Sequence, residues 1–149
     1  MQGLRWVQMT DEERNEFLGN GGTGVISFST SPSEPPFSLP ISYGYYADTG
    51  SLYFRFAFPP DSGKEALLDD PISFVTYEKT DEGYRSVVAS GHLEEVDDLP
   101  YDSAVAQRMW EVDIPLVDVF EQPPDDVTFR HFHLDPDRLT GRKEVGSQE

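Results

Sequence analysis

Apolar β-branched and aromatic residues gather in short runs along this chain, and polar turn signals separate them. "TDEERNEFL" (10–18) opens with Thr10, carries Glu13 three residues later and fills its first turn with acids. That pattern predicts a capped helix, stopped by Gly19 to Gly22. "GVISFST" (24–30) predicts a strand and "SPSEPP" (31–36) a loop. "FSLPISYGYY" (37–46) and "SLYFRFAF" (51–58) flank "ADTG", whose Asp48 and Gly50 suit a tight turn, so the pair predicts an antiparallel hairpin. "KEALLDD" (64–70) predicts a short helix ended by Pro71. "ISFVTYEK", the turn "TDEG" and "YRSVVASGHLEEV" predict a second hairpin over 72–96. In "YDSAVAQRMWEV" (101–112), Ala104, Val105, Met109 and Val112 fall at helical spacing with Trp110 beside them. "VTFRHFHL" (127–134) is a last expected strand, and residues from about 136 to 149 are expected to be a polar C-terminal tail. Strands that arrive in antiparallel hairpins, with helices inserted between them, predict a mainly β fold of α+β type. The expected architecture is a small split or Greek-key antiparallel barrel with short peripheral helices.

At 149 residues the chain is expected to form a single domain over 1–149. Its 28 acids against 11 bases give a net charge of −17, which excludes nucleic acid and anionic membrane surfaces as expected partners, because both need clustered positive charge. The acids are dispersed, 13% of residues are aromatic, and arginine outnumbers lysine eight to three. Disorder and acid-tail readings fit this badly. Dispersed acid with little lysine points to a halophilic protein, since at molar salt the screening length of about 3 Å removes most of the self-repulsion. The absence of cysteine excludes disulfides and thiolate chemistry. With no signal-peptide pattern and no apolar run of membrane-spanning length, the chain is expected to be soluble and cytoplasmic.

In a chain so short of cations, Arg55 and Lys64 bracket one strand-to-helix turn, "RFAFPPDSGK". Each alone is readily explained as an ion-paired or solvated surface residue. Pro40 is a second oddity: inside an expected strand it cannot donate to a ladder, so the strand is locally an edge or bulged, with backbone free to face something else.

Three segments, "LPISYGYYADTGSLYFR", "SGKEALLDDPISFVTYE" and "SVVASGHLEEV", occur in an order that resembles the pyridoxamine 5′-phosphate oxidase-like, FMN-binding split-barrel family over roughly residues 10 to 97. The resemblance implies that the backbone of Leu39, Pro40, Ile41, Ser42 and Tyr43 lies along the isoalloxazine edge. It implies that Arg55 and Lys64 hold the FMN phosphate and that Ser86 stands near the ring. It also implies a homodimer with flavin at the subunit interface, where Trp110 is a candidate contact from the partner, besides being a candidate core or dimer residue. Elementary chemistry agrees on the phosphate: an arginine fork and a lysine point charge complement a near-dianion.

The family's pyridoxal-phosphate-forming oxidases carry a C-terminal segment rich in Trp, Gly, Arg and His, which "RLTGRKE" does not match. Pyridoxamine phosphate oxidase activity is therefore not expected. The resemblance implies an FMN-dependent oxidoreductase that passes electrons from a reduced nicotinamide or similar donor to a small acceptor, and no catalytic side chain is nominated. The alternatives are a flavin-storing or flavin-sensing module and a reductase using the deazaflavin F420. His131 and His133 fall on one face of a strand, but no third ligand is evident, so no metal site is expected. Arg142 could reach the flavin site. The acidic composition makes one prediction directly: the melting temperature should fall when salt is lowered from about 1 M to about 0.1 M, where the screening length grows to about 10 Å. Thermal melts by circular dichroism at the two salt concentrations check this, and unchanged values would overturn the halophilic reading.

Overall fold

The computed structural model describes residues 4–19, 21–56, 64–100, 102–109, 114 and 130–146. In chain order these form β1 (Leu4–Gln8), α1 (Asp11–Leu18), β2 (Gly21–Phe28), β3 (Phe37–Tyr46), β4 (Ser51–Phe56), a 3-10 helix (Lys64–Asp69), β5 (Ile72–Thr80), β6 (Gly83–Gly91) and β7 (Leu93–Glu95). A second 3-10 helix (Val96–Asp98), α2 (Ala104–Met109), β8 (Arg130–Leu134) and β9 (Arg138–Gly146) follow.

The strands make one sheet in the order β1-β9-β6-β5-β2-β3-β4-β8-β7, with antiparallel pairing throughout. β6 and β7 stand third and ninth in that order, yet only His92 separates them in the chain. In a flat sheet six strand spacings would put about 29 Å between them. Two residues reach at most about 7 Å. The sheet therefore curls on itself, and the result is the split antiparallel barrel with short peripheral helices expected from the hairpin pattern. The corner is held by backbone: the Asp137 amide donates to the Ser90 carbonyl at 2.9 Å. No helix among the described residues is long and apolar enough to cross a membrane.

Strand alternation sorts the side chains onto the two faces of the curled sheet. Ile26, Phe28, Ile41, Tyr43, Phe54, Phe74, Val87, Phe132 and Leu134 fill the inside. Phe74 is central, with ring centroids 5.3 Å from Tyr43 and 5.0 Å from Phe54. On the outer face of β3 and β4, Tyr46 and Tyr53 pack with Val96, Val105, Ala106 and Met109 in a second, smaller cluster, and the Tyr53 hydroxyl donates to the Val105 carbonyl.

The expected capping box is present: the Glu13 amide donates to the Thr10 hydroxyl while the Glu13 carboxylate accepts from the Thr10 amide. Both hairpins fall where the turn signals put them. Four expectations need correction. Residues expected to be a polar tail form β9, which pairs with both β1 and β6. Its inward row is Leu139, Gly141, Lys143 and Val145, and two of these four carry no apolar signal. Gly141 takes the place opposite Met9, and Lys143 meets Glu13 of α1. β1 was likewise unexpected. The "KEALLDD" helix is a 3-10 turn of six residues, and β2 begins at Gly21, so that two of the expected helix-stopping glycines belong to a strand. Within the segment 101–112 the expected helix is present as Ala104–Met109, with the Ser103 hydroxyl accepting from the Ala106 amide, and residues 101 and 110–112 lie outside the described residues.

Gly24 supplies the sharpest packing test. A Cβ there would lie 2.5 Å from Cζ of Phe74 and 2.6 Å from the Val75 carbonyl oxygen, and the latter is backbone that cannot swing away. Gly24→Ala should therefore destabilise the fold by about 1–3 kcal/mol through overpacking. Urea unfolding checks this, and an unchanged midpoint would mean that β2 and β5 are less tightly apposed than their geometry requires.

Candidate functional site

The outer face of β4 carries Arg55 because "SLYFRF" alternates: Leu52, Phe54 and Phe56 enter the core while Tyr53 and Arg55 point away from it. Register sets Ser42 of β3 directly opposite Arg55, and His131 of β8 opposite Arg55 on its other side. Cross-strand partners share a face, so these three side chains form one row. Ser42 is only 4% exposed, and its hydroxyl has no hydrogen-bond partner among the described residues. A buried hydroxyl left unpaired costs about 1–3 kcal/mol, so a phosphate oxygen or other acceptor beside Arg55 would relieve a real deficit. The residues present here fit an anionic group of that size.

Pro40 is aligned with Val25 of β2, and among the described residues β3 pairs with β4 over Ser42–Tyr46. The chain that follows β4, residues 57–63, lies outside the described residues, and the expected edge or bulge at Pro40 falls against it. Leu39, Ile41 and Tyr43 turn their side chains into the core. Tyr43 donates its hydroxyl to the Leu18 carbonyl at 3.1 Å, and burial pushes its pKa up to about 12. From these three, only backbone is available to a ligand on the outer face.

Ser86 stands apart from Arg55. It lies on β6, four places from β4 in the sheet order, or about 19 Å along the curved surface. Its register partner is Arg142 of β9, and a groove of about 350 Å³ runs along this pair of strands between Ser86, Val88, Ser90, Arg138, Thr140 and Arg142. Between the groove and Arg55 the outer face is apolar and open: Val88 pairs with Val75, and Val75 with Val25, each more than a third exposed. Trp110 and residues 57–63 lie outside the described residues, as does the Lys64 side chain; the Lys64 backbone opens the 3-10 helix.

The two histidines are each matched with an acid. The His131 amide donates to the Asp97 carboxylate at 3.1 Å and its ring stands 3.5 Å from that carboxylate, while the His133 ring stands 3.7 Å from Glu94. Burial lowers the pKa of His133, against the opposing pull of Glu94 and Asp135. Among the described residues no group of three or more His, Asp or Glu side chains could hold a metal. Sequence reading missed Arg138, Ser90 and Thr140 as groove residues. The alternating "RLTGR" was the available signal, masked by its setting in what reads as a polar tail.

The family model for pyridoxamine 5′-phosphate oxidase matches residues 10–143, and the chain belongs to that family. Solved structures agree in fold. An FAD-binding protein from Mesorhizobium loti superposes with a TM-score of 0.64 at 18% identity, covering 98% of this chain and 100% of the other. The FAD-binding protein from Mycobacterium smegmatis gives 0.64 at 13% identity, covering 93% and 98%. The FAD and heme binding protein from the same organism gives 0.57 at 15%, covering 95% and 76%. No curated protein matches the sequence.

Proposed function

We propose that this chain is a flavoprotein that holds FMN on the outer face of the barrel, within a homodimer, and passes electrons from a reduced nicotinamide or similar donor to a small acceptor. The observation that carries the reading is the buried, unpartnered Ser42 hydroxyl set in register beside Arg55. Bound flavin would supply the redox chemistry. The protein's part is binding and orientation. Arg55 and Lys64 would grip the phosphate, Ser42 would donate to one of its oxygens, and the backbone of β3 around Pro40 would face the ring. Family membership supports a flavin. The relatives named for FAD favour the dinucleotide as the second reading.

A dimer is supported by the shape of this face. The outside of a curled sheet is convex, and a convex surface needs a second one to enclose a three-ring cofactor. The exposed row of Val25, Val75 and Val88 is of the kind that such a partner covers. Light scattering of the flavin-bound protein in high salt is expected to give twice the chain mass; a flavin-bound monomer would overturn this part.

Phosphate recognition is tested by titrating FMN and riboflavin into ligand-free wild type and variants at one fixed high salt. Loss of one charge-assisted contact costs about 1.5–3 kcal/mol, or roughly ten- to a hundredfold in affinity. Lys64→Ala and Arg55→Ala should each weaken FMN by that factor, Ser42→Ala should weaken it less, and riboflavin should barely respond. Equal losses for both ligands would place the damage at the ring or in the fold. No loss for FMN would remove Arg55 and Lys64 from the phosphate site. Bleaching of the bound flavin by a reduced nicotinamide separates turnover from storage.

A further inference from the structure

The groove on β6 and β9 has a chemistry that the phosphate site at Arg55 does not account for. Three consecutive outward register pairs build it: Ser86 with Arg142, Val88 with Thr140, and Ser90 with Arg138. It therefore presents two guanidinium groups and three hydroxyls, and no carboxylate lines it. None of those three hydroxyls has a hydrogen-bond partner among the described residues.

Arg138 and Arg142 share one groove, which sets them apart from Arg5 and Arg108, the other arginines with no carboxylate pair among the described residues. In a chain of 28 acids, Arg14, Arg85, Arg130 and Lys143 each pair with a carboxylate. Arg138 and Arg142 pair with none among the described residues, although both are exposed. Four residues apart on a strand, their Cα atoms are about 13 Å from one another, so the two long side chains bracket Thr140 and can close on a group between them. The nearest acid on the same row of β9, Glu144, lies beyond the groove lining and accepts from the Tyr84 amide at 3.2 Å. A groove of about 350 Å³ falls at the small end of ligand pockets, the size of a compact polar molecule.

We infer that this groove is a binding site for a phosphoryl oxyanion, held by the guanidinium forks of Arg138 and Arg142 with hydroxyl donation from Ser86, Ser90 and Thr140. The phosphoryl group has two possible sources: the second phosphate of a dinucleotide flavin, or a separate phosphate-bearing small molecule. The site stands on residues distinct from Ser42, Arg55 and Lys64, so it does not depend on how the first phosphate is held.

The probes are inorganic phosphate and pyrophosphate, titrated into the ligand-free full chain and followed by backbone amide shifts at one fixed salt concentration. Saturable shifts are expected around Ser86, Ser90 and Thr140. The double variant Arg138→Gln/Arg142→Gln, at two exposed positions, should weaken them at least about tenfold. Arg5→Gln, on the opposite face of β1, should leave them unchanged. Absent shifts, shifts confined to other strands, or equal binding by the double variant would overturn the inference. FMN, FAD and riboflavin titrations identify the source. A loss for FAD alone assigns the groove to the dinucleotide's second phosphate. No loss for any flavin, with phosphate binding still abolished, assigns it to a separate molecule. A loss for FMN and FAD but not riboflavin keeps the groove as a phosphate site and overturns the role given to Arg55 instead.

Discussion

Everything in this molecule follows from a covalent constraint at one corner. With only His92 between them, β6 and β7 must meet although they stand six places apart in the sheet. A sheet forced to curl this far has an inside and an outside with different duties. The inside takes the aromatic and aliphatic row that includes Phe28, Phe54, Phe74 and Phe132. The outside is convex, so any deep site on it needs a second surface.

Closure also explains where α1 and the last strand go. Hydroxyls of Tyr43 and Tyr45 donate to the Leu18 carbonyl and the Asn15 side chain, which ties α1 to the end of β3. Lys143 reaches the same helix from β9. Its hydrogen bond to the Glu13 carboxylate, helped by the Thr10 amide, holds the Glu13 pKa down to about 2. One carboxylate thus caps its own helix and anchors a strand 130 residues away.

Scarcity of cations gives each one meaning. Arg130 forks onto Glu95 with bonds of 2.8 and 2.6 Å and fastens β8 to β7. That is structural use of charge, worth most where the pair is partly buried. Arg138 and Arg142 are different: acids abound in the chain, yet the groove they line has none. Two arginines in a groove whose lining carries no carboxylate suit the anionic ligand proposed for it.

The hairpins and the capping box were legible in the sequence because their causes are local. Turn residues, β-branched runs and a Thr10–Glu13 spacing act over a few positions. Arg55 and Lys64 stand out in the sequence for a similar reason, as rare cations at one turn, and register then sets Arg55 beside Ser42 while the Lys64 side chain lies outside the described residues. β1 and β9 were not: Gly141 and Lys143 occupy an inward row only because Met9 and Glu13 receive them from the far end of the chain. Nor could sequence say that Ser42 lacks a partner among the described residues, or that Ser86 faces Arg142 and not Arg55. Those facts depend on register and on the curl of the sheet. Local composition thus determined which segments became strands and turns. Which strands became neighbours, and hence which side chains share a site, was decided only when closure brought distant segments together.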